Sequence, residues 1–354
     1  MVIEKRELSQ KINRLKQAVP TKTPMAALLG VLVSDGYLTA NNMETAIKAK
    51  IDAIDDGPFI IPSRAFGLIN NLPDGMIEII PEQKELGFSI TIKADKIKNK
   101  FQTVDPSLFP LPEERGDEDS ESSIRAEKLM ASIRRVSYAI PQNYAKPTMS
   151  SLCLQASGGT LNFVGLDGRV IAWDRMEFEG EFELLIPKGT VEKLLSLGLT
   201  GEVRIRHNKN GCMFATNDYV IHTRITEGKY FDYARMFSDL SMHTVIARTE
   251  LLEAVTRAKM CAEEKNPVRL KMEGSELNVS IRNATMDYQE NIGLQDNLPT
   301  ELTIGFDPKL VIETIKAFDC ENIAINLESA KAPMIIEAED SDFKAMVLPV
   351  IIRG

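Results

Sequence analysis

The same order of elements runs three times through the 354-residue sequence, and this recurrence limits the fold more than any single residue does. Each pass opens on apolar residues at helical spacing: Leu8, Ile12, Leu15 and Val19; then Leu129, Ile133 and Val136; then Leu251, Val255 and Ala258. Strand, tight turn and strand follow in VLVSDGYLTA, CLQASGGTLNFV and RLKMEGSELNVS, where Gly36, Gly159 and Gly274 supply the positive φ of a short hairpin. Next come a strand, a proline and a second helix in IPSRAFGLINNL, IPKGTVEKLLSL and FDPKLVIETIKAF. Pro62, Pro187 and Pro308 are expected at the first helical residue, where a missing N–H costs nothing. Alternating strands close each pass, as in MIEII with FSITIKA, EVRIR with YVIHTRI, and NIAINL with MIIEAE and FKAMVLPV. The landmarks return about every 120 residues. The expected architecture is an α+β fold of three repeated helix–sheet domains, at residues 1–118, 119–243 and 244–354.

The acidic, polar stretch at 110–123, with Glu113, Glu114, Asp117, Glu118, Asp119 and Glu121, reads as a solvated linker between the first two repeats. A second junction is expected near residues 237–243.

At 44% hydrophobic and 26% charged residues, the composition is that of a globular protein with two or three domains. The longest apolar run, residues 25–33, falls far short of the ~20 residues a membrane helix needs. MVIEKRELSQ has no apolar core of a secretory signal, so a cytoplasmic protein without a membrane partner is expected. Cys153, Cys212, Cys261 and Cys320 form no C-x-x-C pair, which argues against a zinc site or a disulfide scaffold. No cofactor is expected.

The net charge of -9 argues against nucleic acid until its distribution is read. The first helix of repeat one carries Lys5, Arg6, Lys11, Arg14 and Lys16 against Glu4 and Glu7. That of repeat two carries Arg125, Lys128, Arg134 and Arg135 against Glu127. That of repeat three carries Arg248, Arg257 and Lys259 with Glu250 and Glu253. The second helices add Arg64, Lys188, Lys193, Lys309 and Lys316. Acidic residues gather in the linker and in EFEGEFE and EAEDSD. A basic helical face on an acidic body attracts phosphate on one side only. Without an aromatic-rich base-reading motif, such contact is indifferent to sequence.

Longer motifs carry a resemblance. NFVGLDGRVIAWDR is similar to the T-D-G-[HY]-R-L-A segment, and TRITEGKYFDY to the S-R-L-[IV]-[ED]-G-x-[FY]-P-D-Y segment, of the bacterial sliding clamps, the beta subunits of DNA polymerase III. TIGFDPKLVIETIKAF resembles the family's I-G-F-N-x-x-Y-[LV]-x-[DE]-[AV]-[LI]-x-A, and PMAALLGVLV and ANNMETAI match it in repeat one. The resemblance covers the whole chain. It implies the DNA clamp fold: three domains per chain, two chains head to tail in a ring, helices lining the hole and sheets outside. The implied function is a processivity factor that encircles double-stranded DNA without regard to sequence. The implied partners are a DNA polymerase, a clamp loader, other proteins with clamp-binding motifs, and a second copy of the chain.

The resemblance also implies three sets of site residues. A groove for partner peptides falls on Met149, Leu166, Gly168, Arg169, Val170, Ile171, Leu310, Val347, Leu348, Pro349, Val350 and Ile351. Physically this is an apolar cleft with a few polar fixers, suited to a short hydrophobic peptide. DNA contact falls on Lys22, Lys146 and Lys188, with Arg64 and Lys309 added from their helix positions. The dimer contact joins Lys96, Lys98, Lys100 and Phe101 of one chain to Met260 and Cys261 of the other. The sequence departs from the family at Leu166, Val170, Phe231 and the tail LPVIIRG, which points to a different peptide preference.

Two other functions are weighed against this one. An enzyme has no support from G-x-x-x-x-G-K-[ST], G-x-G-x-x-G, H-E-x-x-H or G-x-S-x-G, all absent. His222 reads as a structural histidine, and Glu337, Glu339, Asp340 and Asp342 as a solvated hairpin. A non-catalytic protein is expected. The second alternative is a clamp-fold interaction scaffold that binds peptides but does not encircle DNA.

Overall fold

The computed structural model describes residues 1–53, 57–85, 87–112, 120–261, 266–283, 286–338 and 340–352. The chain forms two compact units, one of Met1–Met130 with Gly189–Ile225 and one of Ala131–Lys188 with Thr226–Gly354.

In the first unit β1 (Val2–Glu4) leads into α1 (Lys5–Leu15), whose N-cap Glu4 accepts the Glu7 N–H at 3.0 Å. Leu8, Ile12 and Leu15 are buried, as their spacing predicts. The expected fourth apolar turn differs: the helix tightens to a single 3-10 turn at Lys16–Ala18, so Ala18 is buried and Val19 only half-buried. β2 (Gly30–Ser34) and β3 (Tyr37–Asn41) are joined by Asp35 and Gly36, with φ of 54° and 75°. Two successive positive φ values are the type I′ turn that suits strand twist. After β4 (Thr45–Lys50) and β5 (Phe59–Pro62), a one-turn helix runs into α2 (Phe66–Asn71). β6 (Met76–Lys84), β7 (Gly87–Ala94), β8 (Ile97–Thr103) and β9 (Ser120–Arg125) follow. The acidic stretch read as a linker therefore ends inside a strand, where Glu121 pairs with Arg206. Its members Glu113, Glu114, Asp117, Glu118 and Asp119 lie outside the described residues.

Through α3 (Ala126–Ser137) the chain enters the second unit and forms β10 (Ser151–Ser157), β11 (Thr160–Leu166), β12 (Val170–Glu177) and β13 (Phe182–Pro187). With α4 (Lys188–Leu197), β14 (Glu202–Asn208), β15 (Gly211–Ala215) and β16 (Tyr219–Arg224) it returns to the first unit. The rest belongs to the second unit: β17 (Met242–Ala247), α5 (Arg248–Met260), β18 (Val268–Arg282), β19 (Asp287–Phe306), α6 (Pro308–Lys316), β20 (Asn322–Leu327), β21 (Met334–Ala338) and β22 (Ser341–Val347).

Each unit contains one eight-stranded antiparallel sheet that draws on two repeats. In the first its order is β5-β2-β3-β4-β16-β15-β14-β9, and in the second β13-β10-β11-β12-β22-β21-β20-β17. The joins are β4 to β16, from Thr45↔Thr223 to Ala49↔Tyr219, and β12 to β22, from Val170↔Val347 to Trp173↔Lys344. A four-stranded sheet, β1-β6-β7-β8, completes the first unit and the β18–β19 ribbon the second. At the first join the hydroxyls of Thr45, Thr190 and Thr223 form a buried chain with spacings of 2.7 and 2.8 Å, fastening α4 to the sheet.

Two of the three expected prolines are displaced by one position. Pro308 is the first residue of α6, but Pro62 and Pro187 are the last residues of β5 and β13. Both are edge strands, so a missing N–H is tolerated there too. Gly274 has φ 61°, yet it sits at a register shift inside β18 instead of between two separate strands.

Candidate functional site

The residues expected to form the peptide groove all fall in the second unit. Leu166 ends β11, and Val170 and Ile171 begin β12; the turn between them is fixed by Asp167, whose Oδ1 accepts the N–H of Arg169 at 2.9 Å and of Val170 at 3.0 Å. Gly168 holds φ 81° beside the Tyr144 hydroxyl, a geometry that favours glycine. Ile171 pairs with Met346, and Leu166, Ile171 and Met346 join Cys153, Tyr230, Tyr233 and Ile335 in one apolar cluster with Met149 against its side.

Beyond β22 the chain remains tied down. Leu348 N–H donates to the Arg169 carbonyl at 2.8 Å and Val350 N–H to the Gly305 carbonyl at 2.8 Å. Ile352 lies over Gly305, where an added Cβ would come within 2.7 Å of its Cγ1. The strapped tail leaves Leu348 37% and Ile351 88% exposed, whereas Leu310 on α6 is buried. Val170 and Val347 are buried as sheet partners and contribute through the backbone they support. Leu348 and Ile351, with half-buried Met149, Pro349 and Val350, supply the accessible apolar surface.

Two features of this region escaped the sequence reading. Arg169 Nη1 stands 3.3 Å from Asp307 Oδ2, while Asp307 Oδ1 caps α6 by accepting the Lys309 N–H at 2.9 Å. Residues 138 positions apart give no sequence signal of that pairing. Behind the groove Trp173 packs against Tyr233 and Phe237, with ring centroids 5.1 and 5.4 Å away, and donates to Asn162 Oδ1 at 2.9 Å. Burial pushes the Cys153 thiol and the Tyr230 and Tyr233 hydroxyls well above their ordinary pKa values, so this cluster is neutral and inert.

The expected DNA-facing cations divide in two. Lys22, Lys146 and Lys309 are exposed and make no ion pair among the described residues. Arg64 donates to the Gln102 carbonyl, and Lys188, half-buried, to the Ile140 carbonyl. Lys22 and Arg64 belong to the first unit, and Lys146, Lys188 and Lys309 to the second. Several cations counted toward basic helix faces are engaged elsewhere. Arg6 binds Asp74 at 2.7 Å, Arg135 binds Asp174 at 3.3 Å, and Arg257 binds Glu290 at 2.6 Å. Lys193 is buried, donates to the Gly189 carbonyl at 2.9 Å, and has its pKa lowered by that burial.

Of the expected dimer residues, Lys98, Lys100 and Phe101 lie on β8, an edge strand, with Lys96 in the turn before it. Met260, at the end of α5, is 80% exposed, and Cys261 after it is half-buried. His222 is buried on β16 between Met213 and Ala46. In the acidic hairpin Glu337 pairs with Lys344 and Asp342 with Arg175; Glu339 lies outside the described residues.

Three helix–sheet repeats that pool their strands into shared sheets define the class: this is a DNA clamp fold. The comparisons then narrow it. Residues 238–351 match the C-terminal domain of the DNA polymerase III beta subunit. The chain is 24% identical to the beta sliding clamp of Pseudomonas aeruginosa, covering 98% of each, and 21% identical to that of Staphylococcus epidermidis, covering 96% of each. The crystal structure of the DNA polymerase III subunit beta from Pseudomonas aeruginosa superposes with a TM-score of 0.91 at 22% identity, over 99% of this chain and 100% of that one. The Thermotoga maritima beta subunit gives a TM-score of 0.89 at 20% identity over 99% of both chains. The chain resembles the bacterial sliding clamps, the beta subunits of DNA polymerase III, along its whole length.

Proposed function

We propose that this chain is a DNA sliding clamp, a non-catalytic processivity factor that encircles duplex DNA and tethers a polymerase and other partners through its peptide groove. The observation that carries the proposal is the likeness to beta sliding clamps over 98% of both chains, not over one domain alone. The groove geometry adds support, since the turn at 167–170 and the strapped tail at 348–352 present apolar surface beside fixed polar groups.

The active form is a head-to-tail homodimer in the cytoplasm, assembled on DNA by a clamp loader. Its repeats are the domains 1–118, 119–243 and 244–354. Lys22, Lys146 and Lys309 meet phosphate, with Arg64 and Lys188 as weaker contacts because their charges already serve carbonyls. β8, carrying Lys98, Lys100 and Phe101, meets the Met260–Cys261 end of α5 across the subunit contact, which covers an open strand edge. Diffuse contact with the DNA backbone suits sliding, because strong local contacts would brake it.

The test is retention of labelled protein on nicked circular DNA after loader-assisted assembly, followed by linearisation. A clamp is released when the circle is cut. Retention that ignores cutting means ordinary binding and overturns encirclement. Peptide binding without any retention, with a loader verified on its own clamp, favours the scaffold alternative.

A further inference from the structure

The proposed groove has one charged side chain at its rim whose donors are only partly used. The Arg169 backbone is held on both sides, its N–H by Asp167 and its carbonyl by Leu348 of the tail. Its side chain is 59% exposed and meets Asp307 through Nη1 alone, at 3.3 Å. No other partner engages that guanidinium among the described residues. A guanidinium offers five donors in a planar fork that matches a carboxylate two bonds at a time. Asp307 takes up one donor and is turned away by its other duty, since Oδ1 is held by the Lys309 N–H at the start of α6. The rest of the fork is open to solvent on a residue whose backbone holds the exposed Leu348, and Lys309, two residues past Asp307, adds an exposed cation.

Resting on the peptide-groove reading, we infer that Arg169 is a specificity-determining residue that selects peptides bearing a carboxylate next to their apolar anchors. The incoming carboxylate takes the free edge of the Arg169 fork, and Asp307 holds the guanidinium by one donor until then. Apolar side chains on Leu348 and Ile351 give affinity for any hydrophobic peptide, so the charge contact distinguishes one such peptide from another.

The experiment is fluorescence anisotropy with labelled octapeptides sharing a Leu-Leu-Phe core. A single Glu is walked through the flanking positions, each peptide having a Gln control. With the native protein, Glu at one position should bind about three- to tenfold tighter than Gln, the range of an exposed to partly desolvated ion pair. Arg169→Gln should erase that ratio, and Lys309→Gln should keep it. Asp307→Asn retains a helix cap and should raise the ratio by freeing the fork. If Arg169 only braces the turn, Arg169→Gln and Asp307→Asn weaken Glu and Gln peptides alike, and the inference fails. A ratio near one at every position with tight binding overturns it while the groove stands. Failure of every peptide to bind overturns the groove and the inference together. Trp173 fluorescence, read from behind the groove, verifies that each variant is folded.

Discussion

Arg135 and Lys193 both lie on helices counted as basic, yet each is already engaged by a group of the fold. Arg135 faces Asp174, whose side chain is 3% exposed, and Lys193 is buried against the Gly189 carbonyl. Helical spacing says which face of a helix a cation occupies, but not which carboxylate or carbonyl the fold brings to it. Lys22, Lys146 and Lys309 are exposed, the first two outside regular helix and strand and the third in the first turn of α6. The buried cluster behind the groove has its own signature in pH. Burial raises the Cys153 thiol above its ordinary 9.0. The unfolded chain therefore loses that proton first, and stability falls as pH rises beyond the ordinary thiol range, by about 1.4 kcal/mol per pH unit. Urea midpoints measured from pH 8 to pH 10 should decline more steeply for the native protein than for Cys153→Ala. Parallel declines would count against a buried neutral thiol.

Helices and hairpins were legible because their signals are local. Asp35–Gly36 and Gly158–Gly159 turn where the sequence placed hairpins, each with two positive φ values. The prolines were misplaced by one residue at Pro62 and Pro187, since an edge strand and a helix start tolerate the same missing N–H. What no local pattern revealed is how α4 is fastened. Thr190 has no exposure and stands between Thr45 and Thr223, residues from β4 and β16. Thr190→Val keeps the shape but leaves the buried Thr45 hydroxyl without its partner, while Thr223 still donates to the Arg224 carbonyl at 2.9 Å, so it should cost about 1–3 kcal/mol of unfolding free energy. Denaturant titration is the check. A loss within a few tenths of a kcal/mol would mean that the hydroxyl chain is replaceable by packing.

For the whole molecule, the three-repeat plan was readable from periodicity, but the sharing of sheets was not. β12 and β22 are separated by more than a hundred and sixty positions, from Trp173↔Lys344 upward, and an interior strand has the same alternation whichever neighbour it takes. The proposed assembly makes a prediction at this scale. Met260 is the most exposed methionine described and stands at the proposed subunit contact. Met260→Lys should convert the dimer to monomers in multi-angle light scattering while leaving the thermal transition near that of the native chain. A persistent dimer would place the contact elsewhere.

The position of β22 also sets the timing of folding during synthesis. It is the last strand described, yet it lies in the middle of its sheet, between β12 and β21. No earlier stretch of chain can close that gap. While the ribosome is still short of Val347, β12 waits with an open edge, and the first unit, whose strands all precede residue 226, can already be complete. The second unit is thus completed late, and a nascent chain stalled before β22 would offer β12 to any other strand that came within reach.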